Sequence, residues 1–285
     1  MKALLLALLL GVAPLQAFAQ AAAVIDGVQM PAWRERDGNR VPLVPGMELR
    51  AGDRILTGKE ARVLVKLSEG SVVKLGENGT LRFAELQPSK ELFRAALQVL
   101  EGAFRFTTDV AAKARKREVS VRVSQVTIGI RGTDFWGRSR AEREIVCLIE
   151  GAIQVGAAGE PPVTMDKPRQ FYRRDKGKTE PLGFVEAKQL EQWALETDIQ
   201  AGKGALRSGG RFGVQLATAD KRESLVSIQK QLSDAGYPAE IAQRKEGDKL
   251  TYIVRIRQLA SRHEAQALAD QLKGKFGVKE PRVAG

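Results

Sequence analysis

The chain has 285 residues, of which 43% are hydrophobic and 28% charged. This length is enough for one large domain or two ordinary ones. Its 46 lysines and arginines exceed its 34 aspartates and glutamates, and the resulting net charge of +12 favours anionic partners without indicating a fold.

The first residues have the parts of a secretory signal peptide. Lys2 precedes an apolar run over residues 3–11, and Ala17-Phe18-Ala19 forms a small-x-small cleavage site. A membrane anchor is the alternative, but a bilayer span needs about 20 apolar residues and this run is shorter. We expect cleavage after Ala19 and export, which makes the anionic polymers of the cell envelope better candidate partners than nucleic acid.

Residues 24–178 are predicted to form an all-β domain of short strands. Val63, Val65 and Leu67 alternate with more polar positions, and similar runs recur between glycines up to about residue 174. Such alternation buries one set of side chains, while the glycines supply turns. The pattern leaves a sandwich, a barrel and a coil of short strands open.

The lone cysteine and the lone histidine predict no disulfide, metal site or catalytic pair. Cys147 lies within a probable strand, where a buried small hydrophobe is the expected role. His263 lies among charged residues at the start of a predicted helix, where we expect it to be solvated. Two such residues cannot form a standard zinc site, and we expect no cofactor.

The period of the hydrophobic pattern changes over residues 181–200. Phe184, Leu190 and Trp193 are spaced as on one face of a helix, which predicts an amphipathic helix docked on a neighbouring domain. Residues 201–210, rich in glycine and small side chains, are predicted to form a flexible linker.

Residues 211–285 contain one pattern twice. Each copy has an alternating strand, an amphipathic helix ended by glycine and a further strand. The order is βαββαβ, which predicts an α+β domain with both helices on one side of a single sheet.

The other face of this sheet is predicted to be open and basic. Residues 209–285 contain 14 basic and 9 acidic side chains. Since strand side chains alternate, the outward positions of the first and third strands are Arg211, Gly213, Gln215, Ala217, Thr251, Ile253, Arg255 and Arg257. An RNA-binding sheet would carry aromatic side chains outward, but Phe212 and Tyr252 point inward here, which argues against RNA.

The C-terminal residues resemble a SPOR domain, the sporulation-related repeat, over about residues 211–284. The resemblance rests on F-x-V-Q-L at 212–216, a helix ending in QLSDAG, Y-x-V-x-I at 252–256 and a helix ending in QLKGKFG. It implies a domain without a catalytic centre that binds peptidoglycan, preferring glycan strands stripped of stem peptides, and that gathers at the division septum.

The same resemblance implies which residues contact the glycan: Gln215, Thr218, Ile253, Arg255 and Arg257. The chain departs from the family where Ala217 and Arg257 replace the usual glycines, and where Ile253 replaces a frequent arginine. Arg255 is a candidate to supply the positive charge missing at position 253.

The N-terminal region resembles a FecR domain through residues 46–75, 126–138 and 147–155, with G-x-R-G-T-D-F as its most specific stretch. Thr133 and Asp134 are predicted to hydrogen-bond local backbone, and this structural role is favoured over a catalytic one for Asp134. Signalling members of the family reach a cytoplasmic sigma factor through a transmembrane helix. This chain has no such segment after its N-terminus, so the resemblance favours a periplasmic binding module.

Together these observations predict a non-enzymatic periplasmic protein. Its SPOR-like part would hold glycan strands at the septum, and its FecR-like part would bind or sense another envelope component. The alternatives are an envelope signalling adaptor and a wall hydrolase. Residues with the spacing of a hydrolase active site do not emerge from the sequence.

Overall fold

The computed structural model describes residues 21–89, 91–108, 116–246 and 249–285. The predicted signal peptide, residues 1–19, lies outside the described residues, and its cleavage stays a prediction. A strand-rich N-terminal unit precedes a C-terminal unit of strands and helices, so the predicted fold class, all-β followed by α+β, is confirmed.

The elements of the N-terminal unit are, in chain order, β1 (Ala23–Gln29), β2 (Ala32–Arg36), β3 (Asn39–Pro42), β4 (Glu48–Leu49), β5 (Arg54–Thr57), β6 (Arg62–Leu67), β7 (Val72–Leu75), β8 (Thr80–Pro88), β9 (Leu92–Thr107), β10 (Lys116–Val123), β11 (Val126–Arg140), β12 (Arg143–Ala157), β13 (Val163–Met165), β14 (Gln170–Asp175), β15 (Lys178–Thr179), β16 (Gly183–Phe184) and α1 (Ala187–Leu195). Then follow β17 (Ala205–Arg207), β18 (Phe212–Ala219), α2 (Glu223–Asp234), β19 (Glu240–Glu246), β20 (Lys249–Leu259), α3 (Arg262–Leu272) and β21 (Arg282–Ala284).

Two runs of paired strands build the N-terminal unit, and three long strands belong to both. One run has the order β17–β1–β6–β7–β9–β11–β12–β14. The other has the order β3–β2–β5–β8–β9–β10–β11–β12–β13. Strands β9, β11 and β12 therefore connect the two runs.

Glycines stand where the three long strands pass from one run to the other. Gly102, Gly132 and Gly151 have φ angles of 91°, 67° and 85°, a left-handed conformation that other residues adopt only with strain. A Cβ on Gly151 would lie 2.3 Å from the carbonyl oxygen of Gly132. Positive φ and close packing together require glycine at this crossing.

The alternation read from the sequence is found in the core of the N-terminal unit. Val63, Val65 and Leu67 are 0%, 1% and 4% exposed, and they belong to one continuous cluster of buried side chains with residues from both runs of strands. Burial of one side chain in two along each strand therefore supplies the apolar core.

Helix α1 is shorter than the predicted 181–200. Trp193 stacks on Trp136 with ring centroids 4.7 Å apart and an interplanar angle of 13°, which docks the helix on the β unit. Phe184, which was expected on the helix stripe, lies in β16 instead and is 60% exposed. Phe184 pairs with Gln170 of β14, which keeps it in a strand before the helix.

The segment 201–210 contains a paired strand where the sequence predicts a flexible linker. Strand β17 pairs with β1 of the N-terminal unit and, through Leu206, with Leu259 of β20. Ala205 and Leu206 are buried. The prediction is wrong for these residues because their backbone groups find partners in both units.

The C-terminal unit has the predicted βαββαβ order. Its four main strands form an antiparallel sheet in the order β19–β20–β18–β21. The inward residues Val214, Leu216, Val254 and Ile256 are at most 1% exposed and lie in one cluster with Leu225, Leu232, Leu268 and Leu272 of the helices. Both helices thus cover the same side of the sheet.

Candidate functional site

The candidate site is the sheet face opposite the two helices, hereafter the open face. A groove of about 440 Å³ lies along it. Its lining runs from Gly210 of the β17–β18 turn to Gly285, with contributions from β18, β19, β20 and the end of β21. No residue of the N-terminal unit lines the groove, among the residues that the structure describes.

The strand register places a row of polar side chains across this face. Arg255 on the central strand β20 is the direct partner of Gln215 on β18 and of Glu240 on β19. Gln215 in turn pairs with Arg282 on β21. Because directly paired residues of an antiparallel sheet point to the same side, all four side chains belong to the open face.

A register shift between Gln215 and Ala217 changes the outward set on β18. After the shift, Thr218 pairs with Ile253, and the Gln215 side-chain amide donates a 2.6 Å hydrogen bond to the Thr218 hydroxyl. Ala217 was expected to point outward, but it pairs with Val254 and packs against the core. The bulge reverses the alternation at this point.

Ile253 lies on the open face but is buried, with 8% of its surface exposed. The sequence predicts an exposed isoleucine at this position. It lines the same groove as the longer side chains of Gln215 and Arg244. Ile253 therefore forms an apolar floor between longer polar groups.

One carboxylate holds two of the guanidinium groups. Glu240 Oε1 lies 2.9 Å from Nε of Arg255 and 2.8 Å from Nε of Arg257. All three side chains are at least one-third exposed, so these ion pairs are solvent-screened and of modest strength. A bound anion can compete for both arginines.

Three residues of the open face were not predicted as site residues. Glu240 and Arg282 enter through the pairing of β19 and β21, and Arg244 enters through its pairing with Thr251. Their charge was visible in the sequence, but only the order of strands in the sheet shows that they lie beside Gln215 and Arg255.

Family models match two parts of the chain. The model described as FecR protein matches residues 53–154, and the model described as SPOR domain matches residues 208–280. The chain contains a FecR domain and a SPOR domain. The SPOR match includes Gln215, Arg255 and Glu240 of the row and ends before Arg282.

Solved structures give weaker similarity. Two crystal structures of a candidate anti-sigma factor from Parabacteroides distasonis align with 69% of this chain and 96% of theirs, at 16% and 14% identity and a TM-score of 0.41. Similarity at this level carries no argument about function. No curated protein matches the chain.

In the FecR domain, the G-x-R-G-T-D-F stretch is held by side-chain contacts. Asp134 is 9% exposed and receives hydrogen bonds of 2.9 and 2.6 Å from Nε and Nη2 of Arg105. The Thr133 hydroxyl donates to the carbonyl of Glu150 on the neighbouring strand β12, and not to the local backbone that the sequence predicts. For Asp134 the expected backbone partner is replaced by an arginine, and both residues have structural roles.

Cys147 is fully buried in β12, beside Trp136 and Val185. Burial raises the pKa of its thiol to about 12, because the thiolate would lose its hydration. We expect no reaction of the native chain with a thiol reagent at pH 8 and reaction of one thiol per chain in denaturant. Rapid labelling of the native protein, measured by absorbance, would contradict this.

No helix within the described ranges combines the length and apolar character needed to cross a bilayer. The described residues also contain no group of three or more His, Cys, Asp or Glu side chains placed to hold a metal ion. The open face itself presents guanidinium, amide, hydroxyl and carboxylate groups around Ile253.

Proposed function

We propose that the chain is a non-enzymatic periplasmic protein that binds peptidoglycan through the open face of its SPOR domain. The observation that carries the proposal is the row Glu240–Arg255–Gln215–Arg282, which crosses the open face of a domain that matches a peptidoglycan-binding family. Its two central residues, Gln215 and Arg255, line the groove. We propose Gln215, Thr218, Ile253, Arg255 and Arg257 as contacts with the glycan, together with Arg282.

The chemistry of the groove suits a sugar chain with free carboxylates. Gln215 and the arginines provide several hydrogen-bond donors for hydroxyl and acetamido oxygens, and Ile253 offers an apolar patch to a sugar ring. When stem peptides are removed from the wall, the lactyl carboxylate of each muramic acid is left free. Arginine binds carboxylates in a planar, two-pronged manner, which supports a preference for denuded glycan.

Denuded glycan accumulates where the septal wall is remodelled, and we therefore propose enrichment at the division septum. The FecR domain would then act as a second binding or sensing module held near the glycan. A signalling adaptor without affinity for the wall is the competing hypothesis, and the same experiment separates the two.

The test is co-sedimentation of the chain, residues 20–285, with purified sacculi before and after enzymatic removal of the stem peptides. We expect tighter binding to the treated sacculi. The double variant Gln215→Glu with Arg255→Glu should bind at least about tenfold more weakly, because it loses hydrogen bonds to charged groups and gains repulsion.

A matched control carries the same charge change on the helix side. Gln231→Glu with Arg262→Glu alters exposed residues of α2 and α3 and should bind as the unmodified chain does. Equal binding by the two double variants, or no preference for treated sacculi, would overturn the proposal. Septal localisation of a fluorescent fusion in dividing cells should follow the same order.

A further inference from the structure

A second cavity, of about 460 Å³, lies in the FecR domain and shares no lining residue with the SPOR groove. It is lined by residues of β6, the β7–β8 turn, β9, β11 and the end of α1. The charged residues that line it are Arg62, Glu77, Glu101, Arg138, Arg140 and Glu196.

Arg62 is only 7% exposed, which is unusual for an arginine. Its Nη1 donates to the carbonyl of Ala61 at 2.7 Å, but its Nε finds no acceptor among the described residues. Burial lowers the pKa of this guanidinium, although nearby acidic groups act in the opposite direction. A guanidinium held largely out of water attracts an anionic group more strongly than an exposed guanidinium does.

Arg138 repeats this pattern on the other side of the lining. Its guanidinium lies 4.8 Å from the Trp136 ring centroid, and Nη2 donates to Glu196 Oε1 at 3.0 Å. Its Nε is buried and also lacks an acceptor within the described part of the chain. Because Trp136 stacks on Trp193, helix α1 fixes this arginine in place.

The lining combines three arginines with three glutamates, so the cavity has no excess of either charge. A phosphate or another simple anion would meet the arginines but would be repelled by the carboxylates. A simple cation would be attracted by the glutamates but repelled by the arginines. A ligand with both charges side by side satisfies both sets of groups, and the volume lies within the usual range for small-molecule sites, about 300–1,000 Å³.

We propose that this cavity binds a small zwitterion that carries a carboxylate and an ammonium group, such as a free amino acid. The carboxylate lies against the guanidinium groups of Arg62 and Arg138, which line the cavity. The ammonium group lies toward the carboxylate of Glu101, at the more exposed part of the lining.

The test is isothermal titration calorimetry of the chain, residues 20–285, with L-alanine, D-alanine, L-glutamate and L-lysine. Propionate and inorganic phosphate serve as ligands that lack the ammonium group. We expect at least one amino acid to bind, and propionate and phosphate to bind at least about tenfold more weakly because they leave Glu101 without a partner.

Three single variants separate the roles of the residues. Arg62→Lys keeps the charge but loses the planar donor pair, so binding of the amino acid and of propionate should both fall about tenfold. Glu101→Gln should weaken binding of the amino acid and leave binding of propionate unchanged. The matched control is Arg143→Lys, which alters the exposed Arg143–Asp175 ion pair outside the cavity. It should not change the binding of the amino acid or of propionate.

The thermal unfolding midpoint of each variant shows that it is folded before titration. Absence of heat with all four amino acids would mean that only water occupies the cavity, and the proposal would be wrong. Two other results would also overturn the proposal. One is phosphate binding as tight as that of the amino acids, and the other is amino acid binding that neither Arg62→Lys nor Glu101→Gln changes.

Discussion

Glu264→Ala is expected to destabilise the chain by about 3–5 kcal/mol. The Glu264 carboxylate, 6% exposed, accepts backbone hydrogen bonds of 2.7, 3.1, 2.7 and 2.9 Å from Gly202, Lys203, Gly204 and Ala205. Hydrogen bonds to a charged group contribute about 1.5–3 kcal/mol each, and buried donors without a partner add a further penalty. The total loss is smaller than the sum of four such hydrogen bonds, because water can bond to the donors that become exposed.

Urea unfolding, followed by tryptophan fluorescence, measures this effect. Asp270→Ala on the same helix removes an exposed carboxylate that accepts a hydrogen bond from Gln266, and it should change the midpoint little. Trypsin cleavage after Lys203 should become faster in Glu264→Ala, because the segment before β17 loses its anchor. Equal midpoints for the two variants would show that Glu264 does not hold the segment.

The hydrogen bonds to Glu264 also explain why the prediction of a flexible linker at residues 201–210 is wrong. Glycine and serine are typical of flexible linkers. Here Gly202 and Gly204 have φ angles of 73° and 75°, and a Cβ on Gly204 would lie 3.1 Å from Leu268. The glycines allow the backbone to turn around a carboxylate that comes about sixty residues later. Local composition contains no signal for that partner.

On the open face, the sequence predicts the two alternating strands and the inward residues Val214 and Ile256. The alternation contains no signal for the bulge after Gln215, so it predicts an outward Ala217, and only the family resemblance indicates Thr218. Arg282 could not be placed because the strand order, which pairs β21 with β18, depends on how the whole domain closes.

The cavity of the FecR domain was beyond sequence reasoning for a related reason. Its charged residues come from five separate elements, spread from Arg62 to Glu196. None of them has a motif spacing that indicates a ligand site. Their significance lies in the cavity that they share, which depends on the packing of α1 against β11.

Asp134→Ala is expected to destabilise the FecR domain by about 3–5 kcal/mol, the usual effect of removing one partner of a buried ion pair. Arg105, on β9, donates two hydrogen bonds to Asp134, on β11, and their side chains are 21% and 12% exposed. Hydrogen bonding to Asp134 raises the pKa of Arg105. Alanine would leave a charged guanidinium poorly solvated between the strands.

A second variant separates the lost ion pair from a general disturbance of the sheet. Arg105→Met with Asp134→Leu removes both charges and fills the space with apolar groups, so it should recover most of the stability lost in Asp134→Ala. Glu118→Ala breaks an exposed pair with Arg94, between β9 and β10, and should leave the unfolding midpoint unchanged. If the double variant were no more stable than Asp134→Ala, the damage would come from the strand itself, and Asp134 would matter for the shape of the bend at Gly132 more than for the charge of Arg105.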